Sequence, residues 1–490
     1  MSNKTSLKKS LMINHNLKTS IRKNSLSFRD PASKIYEILD TSGNTIKILR
    51  GLREDTFSHY KELYNKDFFK KFLESEMVVK SKLSLIDDQE AKKIKDDGWN
   101  SVIEHEVLDF ISYPYEWSFS MLKDSALLHL FIIKKSFENS WALKDSSAYN
   151  VQWKNGKPIF IDIASFVPYR EDYEWAGYRQ FCSMFLIPLL IKKYLNLDIN
   201  NILRSNLDGI PLEIGSNYFQ SYNKFRKGVF SHILIPSILN SFINQTEERS
   251  KKKIKQNKNH ILSLMNSMYS LIQELDYNKK KSTWLGYDKK NSYEDEDKNL
   301  KEKFILKNIE GKKLNNLWDI GCNNGHYSKL LKKKFNKIIA FDYDHEVIED
   351  LYLSEKKYSQ SNITPLVINF ANPSPNQGWN NELKKLEERS KPDFILCLAF
   401  IHHARLVSNI PLDQILDWFH SLNANIIIEF VDRNDEMVVK LLSNKEEKYE
   451  DYNKEKFIEL LLKKFQIIDR QSLKDNKREL FFIVNNNVGI

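Results

Sequence analysis

The stretch Leu317-Trp318-Asp319-Ile320-Gly321-Cys322-Asn323-Asn324-Gly325, followed by His326-Tyr327-Ser328-Lys329-Leu330-Leu331, admits few folds. An apolar run ends in an acid, crosses a glycine-punctuated turn and enters a helical pattern. That reads as a buried parallel strand feeding a tight βα loop. Glycine at 321 lets the turn close, and glycine at 325 lets a ligand approach the backbone at the helix N-terminus. About twenty residues on, the run from Lys337 to Asp342 puts a second acid at the tip of the next strand, where a carboxylate can accept from both hydroxyls of a ribose.

A dinucleotide site wants G-x-G-x-x-G, with bare backbone against the pyrophosphate. This loop instead reads Asp-x-Gly-x-x-x-Gly, with Asn323 where that pattern needs less side chain. Asp319 would point a carboxylate toward the loop, which suits an ammonium better than a phosphate. The pattern resembles the S-adenosylmethionine (SAM) site of class I methyltransferases. That resemblance implies that Asp319, Gly321, Asn323 and Gly325 cradle the methionine part and Asp342 holds the ribose. Tyr343 would pack on the adenine, and Asn369 would accept from the adenine amine.

Alternation of strand and helix continues beyond the loop. Val347 to Ser354 is helical, Ile363 to Asn369 extended, Asp393 to Ala399 a buried strand, Leu412 to Leu422 a helix and Asn425 to Phe430 a strand. Lys454 to Phe465 is helical, and Gln466–Asp469 and Arg478–Val484 are extended. Five βα units predict a parallel sheet with right-handed crossovers. Two closing strands joined by a polar loop predict an antiparallel hairpin, an ending typical of the seven-stranded methyltransferase sheet.

Further motifs, Tyr113-Pro114-Tyr115-Glu116-Trp117, Ala371 through Trp379, and Ile401-His402-His403, make the chain resemble a bacterial group of class I methyltransferases that includes a rhizobial nodulation protein. Membership implies methyl transfer, for which positioning can supply roughly 7–11 kcal/mol. His402 and His403 follow the fourth strand, and imidazole titrates where a base is useful. Both are therefore candidate catalytic residues, with Glu429 a further one. The loop Pro373–Trp379 suits a lid or acceptor wall.

At 490 residues the chain is too long for one ordinary core. Its front half resembles protein-kinase-like and aminoglycoside-phosphotransferase-like folds. Trp141 through Asp162 carries an acid (Asp145), an amide five residues later (Asn150), two short strands about a glycine turn and a strand-end acid (Asp162). By that resemblance Asp145 orients an acceptor hydroxyl, while Asn150 and Asp162 hold magnesium on the phosphates of ATP. Leu143 stands where such proteins have His or Tyr, no glycine-rich loop precedes it, and Lys80 is the candidate phosphate lysine.

The expected organisation is a disordered basic tail over 1–25, a kinase-like, mostly helical α+β domain over 26–245 and a helical linker over 246–300. A Rossmann-like α/β methyltransferase domain follows over 301–490. The net charge of +10 comes from spread lysines with acids nearly as many, and the basic runs after Arg249 and at Lys279-Lys280-Lys281 lack the interleaved stacking aromatics that a nucleic-acid surface needs. No apolar run is long enough to span a membrane. Three widely spaced cysteines make no metal cluster and point to a reducing compartment, the cytoplasm. The chemistry expected is methyl transfer from SAM to a small-molecule or glycan acceptor, on oxygen. The alternatives are a bifunctional kinase–methyltransferase using Mg and ATP, and a non-catalytic SAM-binding protein. The acceptor and the oligomeric state are not legible.

Overall fold

The computed structural model describes residues 19–24, 30–84, 89–170, 175, 177–238, 257–279, 295–443, 445–446 and 449–486. The expected basic tail falls almost wholly outside these, as does most of the basic run following Arg249.

The back half is built on seven strands. They are β10 (Asn316–Ile320), β11 (Lys337–Asp342), β12 (Ile363–Val367), β13 (Phe394–Cys397), β14 (Asn425–Val431), β15 (Phe465–Ser472) and β16 (Arg478–Asn485). Their order is β12-β11-β10-β13-β14-β16-β15. The first five are parallel, with Trp318 opposite Ile339 on one side and Ile395 on the other. The last strand enters antiparallel between β14 and β15, with Ile428 opposite Phe481. All five residues of β10 are buried, as a strand covered on both faces requires. The order reverses between β10 and β13, the point at which open α/β sheets bind ligands beyond the carboxyl tips of their strands. This is the methyltransferase-like sheet that the alternating pattern and terminal hairpin predict.

In the front half, β1 (Ser20–Lys23), β2 (Ser33–Leu39), β3 (Thr45–Leu52), β4 (Ser81–Leu83) and β5 (Ser101–His105) form an antiparallel sheet in the order β1-β2-β3-β5-β4. Helices α1 (Glu54–Tyr64) and α2 (Asp67–Glu74) lie between β3 and β4, separated at Asn65. Next comes the twenty-residue helix α3 (Phe119–Glu138), apolar on nearly every side, with Leu122, Ala126, Leu130, Ile133 and Phe137 buried. Such a helix must sit inside a lobe. Short strands β6 (Trp141–Leu143) and β9 (Phe166–Pro168) pair, as do β7 (Val151–Lys154) and β8 (Lys157–Phe160). Helices α4 (Ile187–Leu195), α5 (Ile199–Ser205), α6 (Leu212–Tyr218) and α7 (Lys258–Gln273) complete the lobe. The amphipathic segment expected to link the halves is α7, which packs along α3 through Ile261, Met265 and Met268.

The halves share a core, because one buried cluster includes Trp117 and Trp153 from the front and Tyr352 and Leu366 from the back. Polar contacts fix the register. Arg389 meets Glu116 through a two-pronged ion pair, with the side chains 3% and 1% exposed. Glu116 also accepts from Ser374 Oγ and from the Tyr113 amide. A fully buried carboxylate with this many donors is stable only as a set. Glu116→Ala should therefore cost about 3–5 kcal/mol by stranding Arg389, and Glu116→Ala/Arg389→Met should recover part of that loss. Urea unfolding followed by far-UV circular dichroism measures both.

Candidate functional site

The β10–β11 edge builds the site. Asp319 is buried and accepts from Ser328 Oγ at 2.6 Å, so it ties the strand to the helix α9 (His326–Leu331) that follows the loop. Burial pushes its carboxyl up to about 6, and repulsion from Asp342 adds to the rise. Gly321 has φ 70°, and a Cβ there would stand 2.8 Å from the Phe400 ring. Gly325 has φ 74°, and a Cβ there would stand 2.5 Å from Leu351. The second glycine thus also lets the start of α9 pack against Leu351, a contact its spacing did not announce. Asn323 also takes positive φ, 50°, a conformation asparagine tolerates.

Asp342 ends β11 and accepts from the Asn323 amide at 3.1 Å and the Asp344 amide at 3.0 Å. Burial still outweighs these bonds and lifts its carboxyl to about 6. Tyr343 follows it and is 57% exposed. Asn369 lies beyond β12, exposed, and its side-chain oxygen accepts from the Ala371 amide at 2.9 Å. That bond closes the first turn of the 371–379 loop and occupies one lone pair of the oxygen that was expected to face adenine.

Past β13 the chain turns sharply at Ala399, whose φ is 47°. The Ala399 amide donates to Glu429 Oε2 at 2.8 Å. Glu429, fully buried in β14, receives Lys301 Nζ at 2.8 and 2.7 Å on its two oxygens, and Arg478 lies 3.7 Å away. Its bonds make it the clamp of this turn. Lys301 comes from α8 (Asp295–Ile309), which precedes the sheet; nothing in the charged text around it distinguishes this lysine from its exposed neighbours. His402 is 1% exposed, and burial, His403 and nearby cations hold it well below its ordinary value. Among the described residues its ring nitrogens have no hydrogen-bond partner. His403 is less enclosed and is pushed down to about 4, first by burial and then by Arg478. The two rings lie 4.1 Å apart, and both are neutral at pH 7.

The loop after β12 is held from the front half. Arg204 of α5 donates to the Asn372 and Pro373 carbonyls at 2.8 and 2.9 Å, and Tyr113 Oη to the Lys384 carbonyl at 3.1 Å. Trp379 on that loop is 72% exposed.

The residues singled out in the front half also gather. Asn150 Nδ2 donates to Asp145 Oδ1 at 2.7 Å. Asp162 pairs with Arg50 of β3 at 2.7 Å, and Arg50 Nε donates to His105 at 3.2 Å. Burial, with Asp162 nearby, raises the Asp145 carboxyl to about 6. Lys80 is exposed and bonds Glu76 at 3.2 Å, so the cation facing Asp162 is Arg50.

Comparison with known proteins gives a relative for most of the chain. Nodulation protein NoeA of Rhizobium meliloti (strain 1021) is 32% identical over 389 residues, spanning 78% of this chain and 81% of that protein. The chain belongs to the NoeA family. No protein-family model matches it. Among solved structures, the N-methyltransferase NodS from Bradyrhizobium japonicum WM9 aligns over 39% of this chain and 96% of its own, at 12% identity and a TM-score of 0.29. The bifunctional kinase–methyltransferase WbdD aligns over 44% of this chain and 45% of its own, at 15% identity and a TM-score of 0.29.

Gly325→Ala should destabilise the back half by about 2–4 kcal/mol, combining left-handed strain with overpacking on Leu351. Denaturant melts of Gly325→Ala with and without Leu351→Ala should show partial recovery in the double variant.

Proposed function

We propose that the chain is a SAM-dependent methyltransferase whose acceptor is a small molecule or glycan, methylated on oxygen. The observation that carries this reading is the pair of buried carboxylates at the tips of adjacent central strands. Burial raises both, so hydrogen-bond donors brought by a ligand would offset the cost of ionisation at Asp342, while Asp319 behind the turn adds negative potential that favours a cation nearby. That donor set suits a molecule with an ammonium, a sulfonium and a ribose, and it does not suit a pyrophosphate.

In this reading Asp342 accepts from the ribose hydroxyls and Tyr343 covers the adenine. The 321–325 turn, braced from behind by Asp319 and Ser328, borders the methionine part, with Asn323 and Gly325 fixing its path. Asn369 lines the far side of the adenine pocket. When bound, SAM supplies an electrophilic methyl group. His403, neutral and less enclosed than His402, is positioned to take a proton from an acceptor hydroxyl, while His402 backs it. Glu429 and Lys301 hold the turn that presents both rings. The 371–379 loop, pinned by Arg204, forms the acceptor wall.

Calorimetry with SAM should show binding that weakens about tenfold to a hundredfold in Asp342→Ala, as loss of hydrogen bonds to a charged group implies. Affinity should be full above about pH 6 and fall below it, because Asp342 must be ionised to accept from both ribose hydroxyls and its charge, with that of Asp319, favours a cationic ligand nearby. No SAM binding by the intact chain overturns the reading. Transfer of labelled methyl from SAM into the glycan or small-molecule pool of a cell extract tests the acceptor class, and labelling confined to protein or RNA counts against it.

A second reading of the front half draws on the Arg50–Asp162 pair and the Asn150–Asp145 bond. A kinase-like site would use Asp145 to orient a hydroxyl and Asn150 and Asp162 to hold magnesium on ATP. Magnesium-dependent ATP binding, abolished by Asp162→Ala, is the expected result if this site is active. Unchanged binding in that variant removes it.

A further inference from the structure

One surface feature lies outside both sites. After α6 the chain passes through Ser221, at φ 52°, into a single 3-10 turn (Ser221–Phe225) and then a wide helical turn (Phe230–Leu234). The wide turn buries His232 and Ile233 beside Val229, while Phe230 and Ile235 face outward at 49% and 40% exposure. Tyr222 is 68% exposed and Phe225 78%. The rings of Phe225 and Phe230 stack with centroids 6.2 Å apart, and the Arg226 guanidinium lies 5.5 Å from the Tyr194 ring and 5.2 Å from that of Tyr222. Lys224, Arg226 and Lys227 are exposed between these aromatics, Lys227 sharing Glu274. The segment from Ser221 to Phe230 contains no acid, and the sequence turns basic again at Lys251-Lys252-Lys253.

Exposed rings interleaved with cations make no packed core. They match the chemistry of a phospholipid headgroup layer, where rings sit at the apolar boundary and cations reach the phosphates. We propose that the Tyr222–Phe230 tip docks the protein onto an anionic phospholipid bilayer, seated on the surface without crossing it. A single-stranded nucleic acid would stack bases on ring faces alone, whereas the outward aliphatic Ile235 and the pairing of Phe225 with Phe230 suit an acyl boundary. A symmetric contact between two copies would bring Lys224, Arg226 and Lys227 against their own equivalents.

Co-sedimentation of the full chain with vesicles tests the proposal. Binding is expected to mixed phosphatidylglycerol–phosphatidylcholine vesicles, weakened by salt, with little binding to phosphatidylcholine alone. Lys224→Glu/Arg226→Glu and Phe225→Ala/Phe230→Ala should each reduce it by about tenfold or more, with unchanged melting temperature because all four positions are exposed. Absence of binding to anionic vesicles, or equal binding by the variants, overturns the proposal. A complex with single-stranded RNA, or a concentration-dependent dimer, lost in these variants in place of vesicle binding, overturns it equally.

Discussion

The N-terminus of α3 is where the two halves become one structure. A helix of this length presents unpaired amides and a positive dipole end, and here partners come from the other half of the chain. The Phe119 amide donates to His345 Nε2 at 3.1 Å, and the Ser120 amide to Glu349 Oε2 at 3.0 Å. Both partners project from α10 (His345–Glu355), the helix that begins just after Asp342. Beside them Lys192 pairs with Glu346 at 3.2 Å, and Tyr277 Oη donates to the same carboxylate at 2.8 Å. These groups are buried, so parting the halves would leave helix amides and carboxylates unpaired, at a cost of about 1–3 kcal/mol for each neutral group and more for each charge. The front half is therefore fixed against the helix that follows the Asp342 strand tip. The same lobe reaches the 371–379 loop through Arg204 and Glu116, so the loop's shape depends on residues more than 160 positions earlier in the chain.

What the chain discloses before folding divides along physical lines. The back sheet was legible because buried strands leave continuous apolar runs and their ends carry acids or turn residues. Lys337–Asp342 is a strand with those same bounds, and the closing hairpin pairs as its polar loop suggested. The break at Asn65 was not legible, since α1 and α2 are both helical and apolar periodicity continues through the turn. Asp319, Gly321 and Asp342 could be found because a strand tip is a fixed address. Phe400, Lys301 and Arg50 could not. Each acts at a distance in sequence from its partner, and a phenylalanine, a lysine in a charged helix or an arginine in a strand carries no local mark of that role. The spacing of Gly325 suggested ligand approach, and its close approach to Leu351, made across about twenty-five residues of chain, was not legible beside it.

Burial acts in opposite senses on the ionisable groups around the strand tips, and the balance explains their arrangement. Asp319 and Asp342 are lifted to about 6, above the unfolded value of about 3.9. The folded state therefore holds their protons more tightly, and the stability they contribute is present at low pH and lost as pH rises through that window. His403 is lowered to about 4, so the unfolded chain binds its proton more tightly and the stability it contributes is gained as pH rises from about 4 to about 6.5. At neutral pH the histidines are settled and the carboxylates carry their full ionisation cost. By contrast Glu429, equally buried, has Lys301 and the Ala399 amide against it. Glu429 has its cation built in, whereas among the described residues Asp319 and Asp342 form no ion pair. That asymmetry separates a clamp that shapes a turn from a strand edge whose negative charge is not balanced from within the described residues.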